Sequence, residues 1–295
     1  MSLTFSNMKD SYKRSSTLIQ LIYINSGIFI VLFLLNLILT LFRMEGGNFI
    51  QYFVLPADIS RLIVQPWSIV TYMFLHTDIW HILFNMLCLY WFGELFLQFF
   101  SAKHLRGLYI LGGLCGGLFY ILSLNLFPYF IPVVHQSVLL GASASVLAIL
   151  TATAVKEPDY SVQFLFIGSI RLKYVAVFMV IFDLLFMLTN NSGGHLAHLG
   201  GVLAGIWFAL GIKRGHDVTK WINQILDLPL SLSKLAQRKP KMKVHYGGKQ
   251  QDYDFNTRKK ENEADINRIL EKIKQSGYGS LSSEEKKKLF DASKR

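Results

Sequence analysis

Apolar residues in this chain fall into blocks of roughly membrane-spanning length, and the polar residues between them mark where each block starts and stops. The first block, 18–42, follows a polar segment, 1–17, that carries Lys9, Lys13 and Arg14; no small-residue cleavage site follows it, so an anchored helix is expected in place of a removable leader. Residues 43–67 are apolar but broken by Gly46, Gly47, Pro56 and Pro66, too interrupted for a straight span and too apolar for a solvated loop. They are expected to lie in the membrane interface. A second span is predicted over 79–100, with Thr77 and Asp78 offering an N-cap, and a third over 108–126, where Gly112, Gly113, Gly116 and Gly117 form two overlapping GxxxG pairs. The connection 128–136 carries no aspartate, glutamate, lysine or arginine and leads into a fourth span, 137–155. An interrupted stretch, 161–172, precedes a fifth span, 174–188, and after the connection 189–194 a sixth runs to 212 and stops at Lys213 and Arg214. The pattern predicts an all-α polytopic membrane protein with six transmembrane helices.

Composition agrees with that class. Of the 295 residues 52% are hydrophobic and 23 are Phe, and the mean hydropathy is +0.36, too apolar for an ordinary soluble domain. The two cysteines, Cys88 and Cys115, both fall inside apolar blocks and are read as packing residues; no disulfide framework or zinc site is expected. Net charge is +11, and residues 213–295 hold 20 of the 30 basic and 11 of the 19 acidic residues. Beside a membrane domain this excess points to the positive-inside bias and to anionic lipid, and no nucleic-acid partner is expected. Lysine and arginine are missing from 128–136 and 189–194 but present in the N-terminus, at Lys103 and Arg106, in 156–173 and in the tail, so both termini are expected on the cytoplasmic side. The implied location is a cell inner or plasma membrane.

The tail divides further. Residues 214–258 read as a basic flexible linker, and 259–295 as a small helical unit. In that unit Ile266, Ile269, Leu270 and Ile273 recur at helical spacing, Gly277 is a stop, and Ser282 with Glu285 forms a capping box ahead of Leu289 and Phe290. It is too small for much core of its own and suits docking to a cytoplasmic partner.

Spans two, four and six run inward from the outer face, which places polar residues of three separate blocks at one depth. Ser143 lies in LLGASASVLAI and His198 in HLAHLGGVLAG; His81 and Asn85, one turn apart, lie in LHTDIWHILFN. Polar side chains inside a bilayer are costly and mark a site or a water-filled cavity. Serine with neutral imidazole suits acyl transfer, Gly201 and Gly205 let the sixth helix approach the fourth, and His81 and Asn85 can donate to an oxyanion. Ser145 lies about 200° around the helix from Ser143, so only one of them can face the sixth span. No aspartate is expected to orient His198. Asp183 in the fifth span is either a functional acid or a partner for a helix-end donor, the structural hydrogen bond being the favoured reading, and His195 is read as a residue of the wet rim.

Three motifs, HxxxxHxxxN at His76, His81 and Asn85, GxSx from Gly141 to Ala144, and AHLGGxxAG from Ala197 to Gly205, match in order and spacing the rhomboid family of intramembrane serine proteases, which the chain resembles over about 18–213. The resemblance implies a rhomboid-like bundle in which Ser143 is the nucleophile and His198 the general base. His81, Asn85 and the Ser143 amide would form the oxyanion hole, with Gly141, His76, Gly201 and Gly205 in support, and 43–67 would be the family's interfacial loop. It also implies transmembrane protein substrates cut near the outer face of the lipid bilayer by a Ser-His dyad without cofactor or metal. Two positions depart from the family pattern: Ala144 stands where the second glycine of GxSG is usual, and Ser68 where the arginine of a Trp-Arg pair is usual. The second removes the loop's ordinary anchor. Two other readings remain: a non-catalytic binder or chaperone of membrane helices on the same fold, and a membrane haem protein with paired axial histidines.

Overall fold

A computed structural model describes residues 12, 15–43, 49–164, 168–189, 191–236 and 249–293. The first segment's charged residues Lys9, Lys13 and Arg14 lie outside the described residues. The chain divides into two compact units, 1–233 and 234–295.

In the first unit, apolar helices follow one another in the expected order: α1 (Thr17–Leu41), then after two short helices, α2 (Ile59–Val64) and α3 (Ser68–Thr71), the longer α4 (Ile79–Leu97), α5 (Ala102–Leu126), α6 (Ser143–Lys156), α7 (Leu172–Phe186) and α8 (Ser192–Lys213). Four of them, α1, α4, α5 and α8, are long and apolar enough to cross a membrane. α6 and α7, with 14 and 15 residues, fall short of the roughly 20 that a full span needs.

The starts of α1, α4 and α5 follow from side-chain caps. Ser16 accepts from the Ile19 amide, Asp78 from that of His81 and Ser101 from that of His104, each taking up one of the donors that a helix start leaves unbonded. The Ser101 cap starts α5 six residues earlier than the apolar block suggested, so Lys103 and Arg106 are helical. Arg106 is held there by Asp227 (2.8 Å) and Asn223 (3.0 Å) of a further helix, α9 (Lys220–Ala236), which occupies part of the stretch that reads as linker. Within the interrupted stretch 161–172, β3 (Ser161–Phe164) pairs antiparallel with β4 (Gly168–Arg171).

The core lies where α5, α6 and α8 meet, and small residues set its spacing. A Cβ added at Gly112 would stand 2.5 Å from the Ala148 Cβ, one at Gly116 2.6 Å from the Ala144 Cβ, and one at Gly200 2.5 Å from the Cys115 carbonyl oxygen. Such backbone approach is how helices associate where lipid offers no hydrophobic drive between them. Buried hydroxyls bridge the elements: Tyr72 donates to the Gly113 carbonyl (2.6 Å) and Tyr109 to that of Met73 (2.9 Å), while Asn25 of α1 donates to the Tyr109 oxygen (3.0 Å).

The connection from α1 to α4 is organised by side chains reaching back to its own backbone. Four successive carbonyls each receive one: Gln51 from Arg61 (2.8 Å), Tyr52 from the Trp67 indole (2.7 Å), Phe53 from Thr71 (2.7 Å) and Val54 from Gln65 (3.4 Å). Ser68 is fully buried beneath them. The anchoring that a serine at 68 gives up is therefore spread over four neighbours, while Ile59, Ile63, Val64 and Trp67 stay exposed on the outside of the loop. Removing Arg61 costs two hydrogen bonds from a charged donor, since it also reaches Gln51 Oε1 (3.1 Å). Arg61→Ala is expected to lower stability by about 1 to 2 kcal/mol, read as a lower melting temperature in detergent.

The second unit pairs α10 (Lys249–Ser276) with α11 (Ser283–Ser293) across Gly277 at φ 73°. The capping box forms as the sequence indicates: the Glu285 amide donates to Ser282 Oγ (3.3 Å) and the Ser282 amide to Glu285 Oε2 (2.8 Å). Ile269 and Leu281 are its buried apolar contacts, and Lys272–Glu285 and Lys288–Asp265 pairs bracket them. These bonds hold the Glu285 and Asp265 carboxyls below the ordinary carboxylate range: for Glu285 the Ser282 amide is the main cause, for Asp265 the Lys288 ammonium.

Candidate active site

The segment before α6 is not helical, although its apolar run continues the block. β2 (Val138–Leu139) pairs antiparallel with β1 (Leu55–Pro56), and the Ala57 amide donates to the Ser137 carbonyl (3.1 Å), which draws 137–142 into the loop that follows α1. Gly141 then turns the chain. Its φ of 120° is open to glycine and strained for any other residue, its amide donates to the Tyr72 carbonyl (3.0 Å), and an added Cβ would meet the His81 ring at 2.9 Å. The fourth apolar helix therefore begins at Ser143 itself, six residues later than the pattern of apolar residues predicted. Ser143 stands at the first helical position, half-buried, and its amide belongs to the first turn, whose donors have no partner within the helix.

α8 brings the imidazole to it. Ser143 Oγ and His198 Nε2 lie 2.7 Å apart. The contact depends on the next turns of α8, where Cβ atoms at Gly201 and Gly205 would overlap the carbonyl oxygens of Ala144 and Ala148. Ser145 points elsewhere: it is fully buried, with Oγ 3.1 Å from where a Gly113 Cβ would be, on the α5 side.

α4 completes the neighbourhood. The His81 ring lies against Gly141, whose added Cβ would be 4.0 Å from Ser143 Oγ. Asn85, buried one turn on, donates one amide hydrogen to the His81 carbonyl (2.9 Å) and keeps a second. His76 is buried before the Asp78 cap, and its ring stands edge-on to that of His81 with centroids 4.9 Å apart. Ser143 thus touches His198, the His81 ring stands against Gly141 two residues before the serine, Asn85 and His76 neighbour His81, and Gly201 and Gly205 hold α8 against α6 beside the serine.

Asp183 and His195 sit differently from the sequence expectation. Asp183 of α7 is 2% exposed, and its Oδ1 lies 2.7 Å from His198 Nδ1 and 2.9 Å from His195 Nδ1. An aspartate does stand against His198, and His195 is buried beside it instead of forming a wet rim. A signal was available. On the topology that the basic residues predict, the fifth span runs outward, so a residue five positions before its predicted end shares the depth assigned to His198, where an intramembrane carboxylate is a site candidate.

Asp183, His195 and His198 also form a group of potential metal ligands, with donor atoms within 4.8 Å of one another. An ion among them would take the Nδ1 lone pairs, which requires the ring hydrogen of His198 on Nε2 and leaves no acceptor toward Ser143. With the hydrogen on Nδ1, Asp183 accepts it and Nε2 faces the serine oxygen as an acceptor, able to take the hydroxyl proton. With both Nδ1 atoms turned to one carboxylate and Nε2 of His198 turned to Ser143, neither nitrogen of His198 is free to bind a haem iron opposite His195.

Comparison with known proteins agrees with the motifs. The family model described as "Rhomboid domain" matches residues 64–215, and a second model, a family of unknown function (DUF6576), matches 250–295, the helical pair α10–α11. The chain is similar to "RHOMBOID-like protein 12, mitochondrial" of Arabidopsis thaliana, 28% identical over 158 residues, 50% of this chain. It spans 47% of that relative's length, about half. With the model covering more than half of its residues, and the serine, histidine and glycine motifs inside the match, the chain belongs to the rhomboid family.

Proposed function

We propose that this chain is an intramembrane serine endopeptidase that cleaves membrane-anchored proteins near the outer face of the bilayer, with Ser143 as nucleophile and His198 as general base. The observation that carries this reading is the 2.7 Å contact between Ser143 Oγ and His198 Nε2. Serine is a weak nucleophile until a base at this distance takes its proton, and the imidazolium so formed then protonates the leaving amine. Attack on the scissile carbonyl puts negative charge on its oxygen. The Ser143 amide at the helix start, the His81 ring and the second Asn85 hydrogen are the donors on that side. His76 supports the His81 ring. Water then hydrolyses the acyl-enzyme by the same route in reverse. The protein is multi-pass, and the basic residues favour both termini on the cytoplasmic side of a cell inner or plasma membrane.

Two experiments test this. A fluorophosphonate probe should label purified wild type and not Ser143→Ala, and a panel of single-span proteins should be cut by the former alone. A folded wild type that neither labels nor cleaves would point to the non-catalytic helix binder. For Asn85→Ala the expected result is a fall in kcat of about a hundredfold with measurable residual cleavage, because one oxyanion donor is lost and two remain. A loss as complete as that of Ser143→Ala would assign Asn85 a structural role.

A further inference from the structure

We propose that Asp183 is the positioning residue for His198, so that the serine and histidine work with a third, acidic member carried on a separate helix. The proposal rests on the reading of Ser143 and His198 as nucleophile and base. Neutral imidazole has one ring hydrogen, and Nε2 can accept the Ser143 proton only when that hydrogen is on Nδ1. At 2.7 Å from His198 Nδ1, Asp183 Oδ1 is an acceptor that an ionised carboxylate cannot exchange for a donor, so it selects this tautomer.

The carboxylate also fixes the ring in space. Nδ1 is held by α7 and Nε2 faces Ser143 of α6, so the imidazole of α8 is tied at both ends along its length. With its side chain only 3% exposed, Asp183 cannot be replaced by bulk water in this role. His195 holds the acid in turn, its Nδ1 standing 2.9 Å from the same oxygen, and a buried carboxylate needs such hydrogen-bond partners. When the Ser143 proton passes to Nε2, the positive imidazolium faces this negative oxygen across one hydrogen bond. The proton on Nδ1 stays there, and no proton moves to the aspartate.

The test uses the full chain in detergent with 15N-labelled histidine. In wild type, and equally in Ser143→Ala, nitrogen shifts should report His198 with its hydrogen on Nδ1, seen as a deshielded proton that disappears in Asp183→Asn. Cleavage and fluorophosphonate labelling by Asp183→Asn should fall by roughly a thousandfold to ten-thousandfold, in kcat with KM little changed, because Asn turned to donate to Nδ1 imposes the wrong tautomer. His195→Ala should keep the Nδ1 hydrogen and lose far less activity, since Asp183 retains its shorter bond. A wild-type His198 with its hydrogen on Nε2, or an Asp183→Asn protein that cleaves at the wild-type rate, would overturn the proposal. The spectrum is read whether or not the protein cleaves, so a failure here stays distinct from a failure of the protease reading, which Ser143→Ala labelling decides.

Discussion

Ser143→Ala and His198→Ala should each abolish cleavage and fluorophosphonate labelling while leaving a folded membrane protein. The serine substitution removes one half-buried oxygen at the first position of α6 and leaves the turn at Gly141, the β1–β2 pair and the glycine contacts of α8 as they are. Its melting temperature should match wild type. His198→Ala differs in one respect: Asp183 keeps His195 but loses its shorter hydrogen bond, and a buried carboxylate with one donor fewer costs about 1 to 3 kcal/mol. Its activity should be as low as that of Ser143→Ala, with a lower melting temperature. Combining the two changes should cost hardly more activity than either alone, because groups that act as one unit are not additive. The control is Ser145→Ala, two residues along the same helix, whose oxygen faces α5. It should cleave at a rate close to wild type. Normal cleavage by Ser143→Ala with loss in Ser145→Ala would reverse the assignment.

What the sequence disclosed and what it hid have different physical origins. Local chemistry was legible: Asp78 caps α4 and Ser282 with Glu285 boxes the start of α11, because a cap is decided within four residues. The glycine strip of α8 was legible too, since side-chain size alone sets how closely helices approach in lipid. Hidden were the features decided across the chain. Nothing in 137–142 distinguishes it from the apolar block that follows, and it leaves the helix because Leu55 and Pro56, some eighty residues earlier, supply a strand to pair with. Ser68 read as a lost anchor because the compensating donors, Arg61, Gln65, Trp67 and Thr71, act on carbonyls 10 to 18 positions away. Asp183 was at the right depth, but its partners lie 12 and 15 residues on, beyond a turn whose geometry the sequence does not fix.

The second large effect concerns the close approach of α8 to α6. At Gly201 an added Cβ would overlap the Ala144 carbonyl oxygen and stand 2.9 Å from its carbonyl carbon and 3.0 Å from its Cα. All three are backbone atoms of the residue next to Ser143, so no side chain can rotate aside, and valine brings two further methyl groups. The helices must part. Overpacking of this kind costs about 1 to 3 kcal/mol, and a displacement of about 1 Å between serine and imidazole lowers the rate on the order of a hundredfold. Gly201→Val should therefore lose most of its turnover even though valine is at home in lipid, and its melting temperature should fall. The matched control must face outward. Val202 does not, being buried in a cluster with Leu147 and Leu150, whereas Leu203 is 53% exposed. Leu203→Val should leave both cleavage and melting unchanged. Full activity at unchanged stability in Gly201→Val would show that the helices do not meet at this glycine, and the contact between Ser143 and His198 would lose its structural support.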